Sequence, residues 1–296
     1  MNFYRADKTR IVLFLLPAIT IYVLFAIVPI IQAIYFSFFD WPGIYGVPLQ
    51  FNGINNFISM FKSNLFHVSL KNMVQFMVVS IIMQIFIGYA LAIMLGTFCK
   101  GFKVFKTIFF IPVVIPLTAT ALLWRFLYMP GDTGVLNYLM NLIGLGNFTT
   151  LWLVDSKTVL NSIIVANSWT GLGYHMIIGF AAISSIPTEI IEASEIDGAT
   201  GLRKITNIII PMIWEALRVS MVLIIIGSVK IFDIIYIMTK GGPDNITQVP
   251  ATLLYFEAFQ YDNYGFGSAI SVFILVTSII LAIVSLKLTQ KDKIEY

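Results

Sequence analysis

The chain has 296 residues, of which 58% are hydrophobic and 11% charged, and its formal net charge is +3. An average soluble domain is roughly 45–50% apolar and about 25% charged, so this composition excludes an ordinary soluble globule and makes lipid part of the solvent. The single cysteine, Cys99, excludes an internal disulfide and a cysteine-ligated metal cluster, and His67 and His175 are too few for a multi-histidine site.

A helix crossing a hydrocarbon core about 30 Å thick needs roughly 20 apolar residues, and six runs reach that length. The first, Ile11 to Phe39, carries no charge. Arg5, Lys8 and Arg10 precede it as they would a secretory signal, but a signal core has only about 7–15 apolar residues and a small-residue cleavage site, so the run is predicted to be a retained helix. The connection from Asp40 to Lys71 carries Trp41, Tyr45, Phe51, Phe57, Phe61 and Phe66, which suits an interfacial aromatic belt or contact with a soluble partner or a sugar. Asn72 to Cys99 is the second run, and Thr107 to Met129 is the third, interrupted by Arg125 near its outer end, where the side chain reaches the interface.

The fourth run, Thr158 to Ile186, contains Asn167-Ser168-Trp169-Thr170-Gly171-Leu172-Gly173-Tyr174-His175, polar and glycine-rich at membrane depth. Spacings of three and four place Asn167, Thr170 and Tyr174 on one helical face, with Gly171 beside Thr170. An aromatic ring beside amide and hydroxyl groups suits a sugar; the same residues also suit close helix packing through small side chains.

Between the fourth and fifth runs, Pro187 begins a short acidic segment and Gly198 follows its end, the arrangement that opens and closes a helix. A second helical start at Thr200 leads into the next run, so an elbow spanning about 187–204 is predicted. Glu189, Glu192 and Glu195 form an acidic edge, and Ala193 lets another surface approach. A capped, solvated loop satisfies the same residues.

The fifth run, Ile205 to Thr239, is interrupted by charges, which are functional candidates by default because an unpaired charge in lipid is costly. Glu215 and Arg218 have the spacing of a pair near the cytoplasmic end; Lys230 and Asp233 repeat it and either neutralise each other or line a polar cavity. A second aromatic connection, Lys240 to Gly265, precedes the sixth run, Phe266 to Leu286. None of the runs alternates as a barrel strand must, and only helices or closed barrels satisfy their backbone in lipid. The predicted fold is an all-α membrane protein of six transmembrane helices forming one domain, 1–296.

Orientation follows from the basic residues of the connections. Arg5, Lys8, Arg10, Lys100, Lys103, Lys106, Arg203, Lys204, Lys287, Lys291 and Lys293 fall on one side, against Lys62, Lys71, Lys157 and Lys240 on the other. The richer side is cytoplasmic, which puts both termini inside. These residues sit at helix ends with no basic groove around them, so the net charge does not indicate nucleic acid. The chain has no G-x-x-x-x-G-K-[ST] phosphate loop and no H-E-x-x-H; any ATP that the protein's work requires must be hydrolysed by another chain.

Glu192-Ala193-Ser194, then Gly198 after three residues, then Ile208-x-Ile210-Pro211 after nine more, resembles the EAA loop of binding-protein-dependent ABC importer permeases. Ser194 and Ile210 depart mildly from the alanine and leucine of that pattern. Leu16-Pro17-Ala18, Trp124-Arg125-Phe126-Leu127-Tyr128, Met238-Thr239-Lys240-Gly241-Gly242-Pro243, Thr247 and Tyr264-Gly265-x-Gly267-x-Ala269 are similar to segments of the carbohydrate branch, the maltose and glycerol-phosphate permeases.

The resemblance implies the type I permease fold in a bacterial or archaeal cell membrane, and three kinds of protein partner. These are a second, related permease, two cytoplasmic ATP-binding subunits that hold the ATP and magnesium, and an external solute-binding protein. It also implies roles. Glu192, Ala193, Ser194, Asp197, Gly198 and Pro211 belong to the loop that docks on an ATPase. Asn167, Thr170, Gly171 and Tyr174 match a sugar-facing stretch, as does Ser228, counted back from Gly241. Outside the resemblance, an ion-coupled secondary transporter using Asp233 is an alternative, as is an ABC permease for another solute such as a polyamine. An intramembrane enzyme lacks its metal and serine–histidine motifs.

Overall fold

The computed structural model describes residues 8–98 and 102–289; Arg5, Cys99, Lys100, Lys291 and Lys293 lie outside the described residues. Helix α1 (Lys8–Tyr22) continues through a π turn into α2 (Val28–Phe36), and a short antiparallel ladder pairs β1 (Phe39–Asp40) with β2 (Gln50–Phe51). After α3 (Asn55–Lys62), α4 (Asn64–Ile81) passes through a second π turn, Ile82–Ile87, into α5 (Gly88–Phe98). Next come α6 (Phe102–Val114), α7 (Leu117–Leu127), α8 (Val135–Leu142) and the long α9 (Val159–Ser184). The chain then makes α10 (Thr188–Ile196), α11 (Gly201–Lys204), a third π turn, α12 (Ile210–Met212) and α13 (Trp214–Val229). Last are α14 (Asp233–Met238), α15 (Pro250–Phe259) and α16 (Tyr264–Leu288).

Among the described residues, three helical stretches are long and apolar enough to cross a bilayer: Ile11–Phe36, Asn64–Gly96 and Tyr264–Leu288. Three more candidates are bent pairs, broken by 98° between α6 and α7, 75° between α9 and α10, and 70° at Ile213 before α13. Each departure from the predicted runs has a local cause. The third run bends because Pro116 sits extended (φ −54°, ψ 137°) and offers no N–H to the turn before it. The fifth run is not continuous: it breaks at Ile213, just after Pro211, and again between Val229 and Asp233. The second begins earlier than its charge-free stretch, at Asn64, because Phe66 and Ser69 on that extra length are buried.

The chain forms two compact units: Met1–Ser63 with Leu254–Phe273, and Asn64–Leu253 with Ile274–Tyr296. In the first, Asn56 Nδ2 donates to the carbonyls of Ser37 and Phe39, 2.9 Å each, and the Gly265 N–H donates to the Trp41 carbonyl at 3.0 Å. Trp41 stacks on Phe36 (4.6 Å between centroids) and meets Tyr264 edge-on (5.4 Å). Aromatic residues from the two predicted outer connections thus pack on each other within this unit. Gly265 permits it, since a Cβ there would collide with the Phe39 carbonyl oxygen.

The second unit is built around α9. Phe76, Ile163, Ile164, Ile234 and Ile235 form one buried cluster, and Ile85, Tyr89, Ile209, Ile213 and Ile224 another. The glycines of α9 set its approach to neighbours: a Cβ at Gly173 would strike the Phe109 carbonyl of α6, and one at Gly179 would crowd the Tyr89 ring. Asn72 Nδ2 donates to the carbonyls of Ile246 (2.7 Å) and Gln248 (2.8 Å), and Thr247 Oγ1 donates to that of Gly242 at 2.7 Å. The Gly241-Gly242-Pro243 segment is thereby tied to α4.

Candidate functional site

The elbow is built from its caps. Pro187 precedes the first turn of α10, and Asp197, Gly198 and Ala199 close the helix. The Ala199 N–H donates to the Ser194 carbonyl (2.8 Å) and the Gly198 N–H to that of Glu195 (3.1 Å), with Gly198 at φ +79°. That pair of bonds is the Schellman closure, which a left-handed glycine permits at no steric cost. Ser194 is buried and turns its hydroxyl onto the Ile191 carbonyl, 2.7 Å away. This explains why serine replaces alanine there without disturbing the exposed face.

Glu192, Ala193, Asp197 and Gly198 are exposed, and Pro211 is partly buried. Of the predicted acidic edge, Glu195 is engaged: it pairs with Lys204 at 2.6 Å, and the lysine side chain is only 11% exposed. The pair bridges α10 and α11 and braces the elbow. Ile196 and Leu202 stand 87% and 79% exposed, giving the tip an apolar surface that the acidic sequence pattern masked.

The polar stretch of α9 opens on a cleft of about 240 Å³ lined by Phe76, Ser80, Gln84, Asn167, Tyr174, His175, Leu223, Ile224, Gly227, Ser228 and Ile231. Asn167, Tyr174 and Ser228, which the resemblance pointed to, come together here from α9 and α13. Tyr174 is 46% exposed. Thr170 and Gly171 are not among the lining residues. Thr170 Oγ1 donates to the Asn167 carbonyl at 2.8 Å, and the space over Gly171 is filled by the Gln84 amide, with which a Cβ would collide. Ser80, Gln84 and His175 are lining residues that periodicity along α9 did not bring forward. The signal for Gln84 was an amide flanked on both sides by apolar residues, Ile82-Met83 and Ile85-Phe86-Ile87.

Glu215 and Arg218 form the expected pair at 3.0 Å, and Arg218 Nη2 also donates to the Leu286 carbonyl at 2.9 Å. Lys230 and Asp233 are exposed at the break after α13 and, among the described residues, form no ion pair with each other. Arg125 is exposed, with Nη1 3.4 Å from the Ile237 carbonyl.

Residues 85–291 match the family described as binding-protein-dependent transport system inner membrane component. The chain is 35% identical to the probable ABC transporter permease protein YurN of Bacillus subtilis, over 96% of this chain and 97% of that one. It is 30% identical to the probable starch degradation products transport system permease protein AmyD of Thermoanaerobacterium thermosulfurigenes, over 96% and 94% of the two chains. In fold it resembles a chain of a bacterial alginate ABC transporter, solved in complex with a periplasmic protein bound to an alginate pentasaccharide. That match has a TM-score of 0.83 at 24% identity and covers 98% of both chains. The family match over most of the length and the relatives along the whole of it have a common meaning: the chain belongs to the inner-membrane components of binding-protein-dependent ABC transport systems, a helical type I permease subunit rather than an enzyme.

Proposed function

We propose that this permease carries a sugar or oligosaccharide inward, pairing with a second permease and receiving its solute from an external binding protein. Two cytoplasmic ATPase subunits hold the ATP and magnesium. In this reading the three long helices, the bent pair α6–α7, α9 and α13 make six spans with the elbow outside the bilayer, both termini are cytoplasmic, and the chain acts as one membrane domain in contact with lipid and not with nucleic acid.

The observation that carries the reading is the elbow, a Schellman-closed helix whose free face offers Glu192, Ala193, Ile196, Asp197 and Gly198. A rigid, partly apolar tip transmits movement where a mobile loop would absorb it. ATP closes the ATPase pair, the elbows move with it, and the membrane helices pass from inward-open to outward-open. The coupling works because ATP and the loaded binding protein favour the outward-facing state; equal affinity for both states would shift nothing. Sugar as the solute draws on the name of the AmyD relative and on the cleft, where Asn167, Tyr174 and Ser228 place an amide, a phenol and a hydroxyl around apolar surface.

The test is uptake into proteoliposomes holding both permeases, the ATPases and saturating binding protein. Uptake should require ATP and survive collapse of ion gradients; the opposite pattern would give an ion-coupled transporter. Asn167→Ala should lower uptake several-fold, as expected for a hydrogen bond of about 0.5–1.5 kcal/mol. Tyr174→Ala should lower it further, through lost stacking surface. If both variants transport at the wild-type rate, the cleft is not the path.

A further inference from the structure

Two polar atoms in residues lining the cleft have no use in the path as described. Ser80 Oγ and His175 Nδ1 are buried and have no hydrogen-bond partner among the described residues. Buried polar atoms are paired in the great majority of cases, so each orphan calls for a ligand or an ordered water. The contrast lies within this chain. Ser69, Ser162 and Thr170 turn their hydroxyls onto carbonyls three or four residues earlier, the usual refuge of a hydroxyl in a helix; Ser80 does not. Gln84, one turn beyond, is 4% exposed, and among the described residues its one hydrogen bond is a long 3.4 Å contact from Nε2 to Ser168 Oγ. A primary amide has two donor hydrogens and a carbonyl acceptor to satisfy. Gln84 also sits in the π turn Ile82–Ile87, and such turns recur at functional sites.

We propose that Ser80, Gln84 and His175 form a second, hydroxyl-binding wall of the cleft beside Asn167, Tyr174 and Ser228, and that the cleft admits one ring of an uncharged sugar. The inference rests on the sugar-importing function proposed above. A hydroxyl, an amide and a neutral imidazole each donate and accept, which matches sugar hydroxyls that do both. Among the described residues no lysine, arginine, aspartate or glutamate lines the cleft, so an ionised uronate would enter without a counter-charge from this chain, at a large desolvation cost. The volume, about 240 Å³, lies below the roughly 300–1,000 Å³ of pockets for drug-sized ligands, and suits a single ring rather than a whole oligosaccharide.

The experiment is saturation-transfer NMR on the assembled permease–ATPase complex in nanodiscs, without binding protein, so that only the membrane site is read. The probes are maltose, trehalose, cellobiose and diacetylchitobiose, with digalacturonate as the charged member. At least one neutral probe should bind and digalacturonate should not. Ser80→Ala and Gln84→Ala should each raise the Kd of that probe by about three- to tenfold, the loss of one hydrogen bond, while Ser80→Thr, which keeps the hydroxyl, stays near wild type. Wild-type Kd in both alanine variants would assign the orphan atoms to bound water and overturn the wall. Binding of digalacturonate as tight as that of the neutral probes would overturn the selectivity. If no probe binds while ATP-driven sugar uptake proceeds, the inference fails and the proposed function stands; if sugar uptake is absent as well, both fail.

Discussion

At Gly173 there is no room for a methyl group: the obstacle is the Phe109 carbonyl, backbone that cannot rotate away. At Gly171 the obstacle is the end of the Gln84 side chain, which can. Alanine relieves the entropic cost of glycine in a helix by up to about 1 kcal/mol, and overpacking costs about 1–3 kcal/mol. Gly173→Ala is therefore expected to lower the thermal unfolding midpoint of the purified complex, and Gly171→Ala to leave it nearly unchanged. Equal effects of the two would mean that α6 does not pack on α9 through Gly173. Both glycines belong to one polar, glycine-rich motif, and neither role follows from spacing. Periodicity placed Asn167 and Tyr174 on a common face, and the cleft includes both. It could not reveal that Gln84, more than 80 positions away, occupies the space over Gly171.

At the scale of the element, the elbow is the segment whose local chemistry is most complete. Proline at the start, glycine at the end and threonine before the next helix specify a helix–turn–helix from contacts within a few residues, and the structure has that geometry. Among the described residues, a side chain at position 198 in Gly198→Asp meets no neighbour within 4 Å, so its cost is confined to the left-handed backbone, about 1–2 kcal/mol, and to an added charge beside Asp197 at the tip of the proposed coupling elbow. The chain should insert normally, uptake should fall at least tenfold, and the ATPase should no longer copurify. Gly198→Ala, which shares the strain without the charge, should lose less. Normal transport by assembled Gly198→Asp would reduce the elbow to a capped loop. The Lys204–Glu195 brace was outside the sequence reading because glutamate at a three-residue spacing looks solvated until the returning chain brings a lysine to it.

For the whole molecule, the first long helix is informative: Ile11–Phe36 is apolar throughout, and none of its most apolar window is buried among the described residues. Such a helix is stable only where lipid or another subunit covers it. The proposed topology puts Asp155 and Asp244 outside and Cys99, which lies outside the described residues, inside. Impermeant thiol reagents applied to intact cells should label cysteines introduced at Asp155 or Asp244 and spare Cys99; labelling of Cys99 alone would invert the molecule.

The sequence by itself determined the solvent, the number of apolar runs, the elbow and the Glu215–Arg218 pair. Each depends on residues close along the chain, where composition, helical spacing and capping act directly. Tertiary structure decided the rest. It bent the third run at Pro116 and divided the fifth at Ile213 and again before Asp233. It also packed Trp41 against Tyr264 and brought Ser80 and Gln84 to the same cleft as Asn167 and Ser228. Those contacts join residues far apart in the chain, and an apolar run carries almost no information about which other run it will face, because in lipid every apolar face is equally acceptable. Close packing at glycines and the satisfaction of buried polar groups choose among the arrangements, and both exist only once the helices have met.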